Sequence, residues 1–233
     1  MLVVGFPAAA FGTNCFVLAP QEGEECVVVD PGVGVVDNLE AVLDQYRLKP
    51  AAVLLTHGHL DHVYSVTPVC GAHGVAAVIH PDDQYRLSDP IATLDPSLVH
   101  MMEQSFGSRA SWNEPDDVRL VQDGSVLEVA GLSLRVDHAP GHTEGSVMFR
   151  TPREPGEPDL LVSGDVLFAG SIGRTDLPGG DTGAMMRSLA TKVLPLDDST
   201  VVLPGHGPET TVERERRTNP FLLEAARLHR AGS

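Results

Sequence analysis

Four apolar stretches of this chain each run directly into a histidine or an aspartate, and that repetition constrains the fold more than any other feature. Ala51-Ala52-Val53-Leu54-Leu55 leads into Thr56-His57-Gly58-His59-Leu60-Asp61-His62. Residues 132–140 (LSLRVDHAP) lead into Gly141-His142-Thr143, residues 160–164 (LLVSG) into Asp165, and residues 201–205 (VVLPG) into His206-Gly207. Short apolar runs bounded by turn residues have the pattern of strands buried on both faces. Polar groups at the ends of such strands gather on one rim of a layered α/β sandwich, where loops on a rigid scaffold unite residues far apart in sequence. Glycine stands immediately before three of them, at Gly141, Gly164 and Gly205, and lets the backbone turn closely beneath an ion.

The remaining sequence fits mixed α/β layering. Strands are expected over 13–19, 26–30, 51–55, 118–121, 125–129, 132–138, 145–150, 159–163 and 200–203, preceded by an apolar N-terminal strand. Val35, Leu39, Val42, Leu43 and Tyr46 recur at helical spacing over 35–47, and 183–194 has helical character too. Two C-terminal helices are expected at about 209–230, the second capped by Asn219 with Pro220 in its first turn. Residues 81–117 are rich in Asp, Ser and Pro, with Met101, Met102, Phe106 and Trp112 among them. They read as a helical insertion, either a lid over a site or a surface excursion with its own small core. No Gly/Ser-rich linker or repeat divides the sequence, so 1–233 reads as a single domain of α/β (α+β) class.

Charge narrows the function classes. Sixteen Lys and Arg against 32 Asp and Glu give a net charge of −16, which opposes nucleic acid and anionic membranes as partners, since clustered basic residues hold both. No apolar run approaches the ~20 residues of a membrane span, and the N-terminus lacks a basic leader. Cys15, Cys26 and Cys70 form neither a disulfide framework nor a CxxC knuckle. A cytoplasmic protein with a small-molecule partner is expected, its oligomeric state left open.

Five of the ten histidines, His57, His59, His62, His142 and His206, fall at strand ends, and metal binding is the chemistry they suggest. A lone histidine after a strand is usually a hydrogen-bonded loop residue, but four donors within the six residues H-x-H-x-D-H are improbable by chance. His57, His59 and His142 would serve one ion, Asp61, His62 and His206 a second, and Asp165 would bridge. Three protein ligands, a bridge and a water form the open shell of a catalytic metal, not the closed shell of a structural one. Nitrogen and oxygen donors without cysteine point to two Zn2+ ions, with Fe and Mn also compatible. His73, His80, His100, His138 and His229 are read as ordinary, His138 alone lying close to a ligand loop. Gly32-x-Gly34 lacks the third glycine of a dinucleotide loop, and neither a GxSxG elbow nor a GxxxxGKS phosphate loop occurs.

With these residues in this order over residues 13 to 208, the sequence resembles the metallo-β-lactamase superfamily. The resemblance implies a four-layer αββα sandwich, two sheets face to face with helices outside. It implies that Asp30, in the turn Val29-Asp30-Pro31-Gly32, supports the ligands from beneath, and that His57, His59, Asp61 and Asp165 are the catalytic positions. Two-zinc β-lactamases usually carry cysteine at the position of Asp165, which disfavours antibiotic hydrolysis. Gly173-Arg174-Thr175-Asp176-Leu177-Pro178-Gly179-Gly180-Asp181 and Asn219-Pro220-Phe221 are similar instead to bacterial type II glyoxalases. Those enzymes hydrolyse S-D-lactoylglutathione, so the resemblance implies cleavage of that thioester or another acyl-thiol. Arg174 falls where a basic residue of that branch contacts the thiol; an ion pair with Asp176 or Asp181 is its structural alternative. The residues after His206 are too few for the helical domain that carries much of the glutathione site in larger glyoxalases, and Tyr64 and Ser65 stand where many relatives have glycine. Persulfide dioxygenases share the signature and a similar Gly-Arg-Thr-Asp segment but hold one iron at the positions of His57, His142 and Asp165. That is the alternative reading, with a lactonase more distant.

Overall fold

Strands apolar on both faces must be covered on both faces, and the chain meets this demand by stacking two sheets between two helical layers. The computed structural model describes residues 1–91, 94, 96–106, 113–152 and 156–232. One sheet contains β1 (Leu2–Pro7), β2 (Asn14–Ala19), β3 (Glu25–Val29), β4 (Lys49–Leu54), β5 (Ala76–Ile79) and β6 (Val118–Leu120), side by side in that order. The first three are antiparallel neighbours, and β3 to β6 run parallel. The other sheet contains β7 (Val126–Val129), β8 (Leu132–His138), β9 (Val147–Thr151), β10 (Leu160–Gly164), β11 (Val201–Pro204) and β12 (Thr210–Thr211), again in chain order, with β10 and β11 parallel.

The helices are α1 (Val36–Tyr46), α2 (Leu60–Val63), α3 (Val66–His73), α4 (Tyr85–Ser88), α5 (Pro96–Phe106), α6 (Thr182–Ser188), α7 (Val212–Thr218) and α8 (Pro220–Gly232). Period-two alternation sorts the strand residues into layers. Cys15 and Val17 of β2 pack with Leu39 and Leu43 of α1 and Val66 and Val69 of α3. Their neighbours Phe16 and Leu18 face the opposite way and meet Leu134, Val136 and Phe149 of the second sheet. Met148 and Leu161 turn to the far side, against Met185 of α6 and Leu222 of α8. This is the expected αββα order. Cys15, Cys26 and Cys70 are buried and unpaired, and burial pushes the thiols of Cys26 and Cys70 up to about 12, so they serve as small apolar core residues.

Several short elements carry no periodic signal of their own. β5, α2, α3 and the two-residue β12 are set by tertiary contacts, and α3 even contains Pro68 and Gly71. β9 begins only at Val147, because Ser146 Oγ accepts from the Thr143 amide (3.1 Å) and holds the preceding residues in a turn. Asn219 does cap α8, its Oδ1 accepting from the amides of Phe221 and Leu222.

Residues 81–117 open with a 3-10 turn at Pro81–Asp83, followed by α4 and α5. Asp83, Arg86, Leu87 and Ile91 are buried, so the opening of this segment belongs to the body of the protein and not to a surface excursion. Trp112 lies outside the described residues, and among these no helix is long and apolar enough to cross a membrane. Phe149 is fully buried between the sheets. Phe149→Ala is expected to lower unfolding free energy by about 3–5 kcal/mol, read from the denaturant midpoint at constant slope.

Candidate metal centre

Four strands deliver their ends to one rim, and the loops that leave β4, β8, β10 and β11 carry His57 to His62, His142, Asp165 and His206 respectively. The structure brings all seven together. His57, His59 and His142 form one group and Asp61, His62 and His206 another, the donor atoms of each lying within 4.8 Å of one another. Asp165 lies between the two. Its Oδ2 is 3.4 Å from His142 Nε2 and 3.6 Å from His206 Nε2, and its Oδ1 is 3.4 Å from His62 Nε2.

Hydrogen bonds behind the rings decide which nitrogen each imidazole offers. Asp30 is buried at the end of β3, where its carboxylate accepts from the Thr56 amide (2.8 Å), Thr56 Oγ1 (2.6 Å) and His62 Nδ1 (2.9 Å). His62 is thereby protonated on Nδ1 and presents Nε2 to the site. Thr56 Oγ1, having donated to Asp30, can only accept from His57 Nδ1 (3.0 Å), which leaves His57 Nε2 facing forward without its proton. His142 Nδ1 lies 2.7 Å from the Arg174 carbonyl oxygen, an obligate acceptor, so its Nε2 also carries the lone pair. Such backing of each ring is how proteins orient imidazoles toward a metal. Asp61 is steadied by Thr13 Oγ1 (2.7 Å) and His206 Nε2 (3.2 Å).

Electrostatics divide the cluster. Burial, reinforced by neighbouring imidazoles, lowers the pKa values of His57 and His59, and burial also lowers that of His142, so all three are neutral at pH 7 with lone pairs available. At the other end burial opposes charge on His62, yet Asp61, Asp165 and Asp30 outweigh it and raise the pKa to about 10. Burial opposes the ionised form of Asp61 too, but His62, His206 and Thr13 hold its carboxyl well below the usual range. This end is therefore a sink for positive charge.

Their unsatisfied atoms show that these residues fit divalent metal binding. His57 Nε2 and Asp165 Oδ1 are buried and make no hydrogen bond. An orphaned buried acceptor costs about 1–3 kcal/mol, and a cation is the partner that satisfies converging lone pairs of this kind.

A second buried carboxylate, which the sequence did not single out, frames the opposite side. Asp83 Oδ2 accepts from the Gly58 amide and Thr143 Oγ1, both at 2.7 Å, and Oδ1 from the Gly145 amide at 3.0 Å. It thus clamps the His57-x-His59 loop to the His142 loop. Arg86, also buried, donates to Glu144 Oε2 (3.0 Å) and the Pro178 carbonyl (3.2 Å), tying the Gly173–Asp181 loop to the same frame. A Cβ at Gly179 would collide with Glu144 and Arg86, and the backbone there has φ +91, which accounts for glycine in Leu177-Pro178-Gly179-Gly180. Gly205 is as closely packed, its missing Cβ space taken by Asp165 Oδ1. Asp83 follows β5 much as the ligands follow their strands, a signal hidden because β5 has no periodic pattern of its own.

Arg174 lines the pocket over the donors and pairs there with an acid of its own loop. Its Nε and Nη2 grip Asp176 at 2.7 and 2.8 Å, while Asp181 caps α6 through the Ala184 amide. Outside this cluster His80 and His138 stack with centroids 3.9 Å apart, and with Asp82 they bring donor atoms within 4.8 Å of one another. His138 Nε2 donates to the Glu144 carbonyl, and His73 pairs with Glu40.

A sequence profile of the metallo-β-lactamase superfamily matches residues 8–206. An uncharacterised protein of Mycobacterium tuberculosis is 47% identical over 224 residues, covering 95% of this chain and 98% of its own. Hydroxyacylglutathione hydrolase GloC of Haemophilus influenzae is 35% identical over 216 residues, 93% of this chain and 95% of its own. Among solved structures, BLEG-1, a B3 metallo-β-lactamase, superposes with TM-score 0.81 at 35% identity over 95% of this chain and 99% of its own. TTHA1623 in a di-iron-bound form gives 0.74 at 35% identity over 94% and 99%. Asp30→Asn, which keeps the shape but replaces an acceptor of the His62 proton, is expected to weaken metal binding about 10- to 100-fold in a chelator competition while leaving the far-UV spectrum unchanged.

Proposed function

The chain belongs to the metallo-β-lactamase superfamily, and on that footing we propose that it is a binuclear metallohydrolase that cleaves a thioester. The observation that carries this reading is Asp165, within 3.6 Å of imidazole nitrogens from both groups and so poised to be shared by two ions. The similarity to GloC over nearly the whole chain supports a thioester as substrate, and the di-iron form of TTHA1623 supports two ions. Zinc suits the nitrogen-rich donor set, and iron is its nearest competitor.

Ions held by His57, His59, Asp61, His62, His142, Asp165 and His206 would supply a hydroxide at neutral pH and a Lewis acid for the carbonyl. The chain's own groups do the rest. Asp61, fixed by Thr13 and His206, orients the attacking water. Asp30 and Thr56 keep His57 and His62 in the tautomers that face the site. The leaving thiolate derives from a thiol of pKa near 8.5, so the reaction needs no dedicated general acid.

The competing dioxygenase reading requires one iron at His57, His142 and Asp165 and leaves His59, Asp61, His62 and His206 without a task. Metal analysis after anaerobic purification is expected to find about two ions per chain, where the dioxygenase would show about one iron. Thioester hydrolysis, followed by release of free thiol, is expected to fall about 100-fold or more in both His59→Ala and His206→Ala. Intact thioesterase activity in those variants, or persulfide-dependent oxygen uptake by the wild type, would remove the proposal. A β-lactam assayed in parallel, prompted by BLEG-1, would displace the thioester if it were turned over faster.

A further inference from the structure

The pocket over the donor cluster encloses about 520 Å³. Its described lining contains five of the seven donors, then Phe11, Leu60, Pro90, Leu94, Phe168 and Leu177, and a single arginine, Arg174. The apolar residues come from five different parts of the chain: the β1–β2 loop, the ligand loop, the middle segment, the loop after β10 and the Gly173–Asp181 loop. One of these walls is rigidly built. Asn219 Nδ2 donates to the Ser171 carbonyl (2.9 Å), and buried Glu215 accepts from the Gly170 amide (2.7 Å). Together they fix the loop that places Phe168 edge-on to His206, with centroids 5.9 Å apart. Asn219 thus braces the pocket from the start of α8.

An anionic substrate group in this pocket would need a partner. Ions held by the donors would be taken up by the carbonyl oxygen and the water, and Arg174 is already forked onto the exposed Asp176, whose carboxyl is held at about 2 by that pairing. Positive charge gathered by the donors serves the carbonyl, and what remains for the rest of the substrate along the described walls is mostly apolar surface. Carboxylates desolvated against such surface without a counter-charge are disfavoured.

Resting on the thioesterase reading, we infer that the substrate is uncharged on both sides of its carbonyl: an aliphatic acyl group carried by a thiol without carboxylates. Water attacks the carbonyl carbon, the C–S bond breaks, and the products are the carboxylic acid and the neutral carrier's thiol. The Asp176 carboxylate acts as a specificity residue by withholding the Arg174 guanidinium from anionic thiols.

The test compares S-hexanoyl-N-acetylcysteamine with S-hexanoylglutathione on the fully metal-loaded protein. The neutral thioester is expected to have the higher kcat/KM by about tenfold or more. Asp176→Asn, an exposed change that leaves the fold intact, is expected to narrow that ratio about two- to fivefold by releasing Arg174. Calorimetry with the thioethers S-hexyl-N-acetylcysteamine and S-hexylglutathione gives a readout without turnover, and the first is expected to bind more tightly to the metal-free and loaded protein alike. If both thioesters are cleaved with glutathione preferred, if S-hexylglutathione binds more tightly, or if the Asp176→Asn ratio does not move, this inference falls and the thioesterase reading stands. If neither thioester is cleaved, the thioesterase reading falls and takes the inference with it.

Discussion

Bringing five imidazoles and two carboxylates to one rim concentrates lone pairs and charge in a partly dehydrated space, and most of the surrounding structure exists to hold them there. Two buried carboxylates do the main holding. Asp30 joins the end of β3 to the start of the ligand loop and reaches α2 through His62. Asp83 joins the same ligand loop to the turn after His142. Each satisfies backbone amides and hydroxyls that would otherwise be stranded, so the donors are aimed by hydrogen bonds that persist whatever the donors bind. Removing either carboxylate leaves both its partners and the ligand geometry without support.

The substrate side follows a different logic. Its walls are contributed by loops, yet those loops are tied back to the metal side at single points. The Arg174 carbonyl accepts from His142, and the Pro178 carbonyl accepts from Arg86, which in turn lies beside Asp83. The Gly173–Asp181 segment is therefore both a ligand support and a pocket wall. At the C-terminus, α7 and α8 hold the loop carrying Phe168 through Glu215 and Asn219. A short helical end performs a bracing task that needs only two buried polar side chains.

Much of this was legible from residue order. Alternating and continuous apolar runs fix strands locally, and glycine before a strand-end histidine or aspartate is a local mark of a tight turn. Elements that escaped notice, such as β5 and α2, are four residues long, below the length at which periodicity carries information. The framing role of Asp83 escaped for another reason: acidic and Pro-rich surroundings resemble a surface loop until the burial of Asp83, Arg86 and Ile91 is seen. The pairing of Arg174 with Asp176 was likewise not settled by spacing, which does not encode side-chain direction.

The sequence by itself determined the layered fold and the identity and order of the donor residues, because both follow from short-range patterns of apolar, glycine and polar residues. Only the tertiary structure decided which ring nitrogen each histidine offers, which acids frame the site and which face into it, and how much of the pocket is apolar. Most of those outcomes rest on hydrogen bonds between residues 25 to 62 positions apart, such as Gly58 with Asp83 and Gly145 with Asp83, and they form only when strand ends distant in sequence are brought side by side in the folded chain.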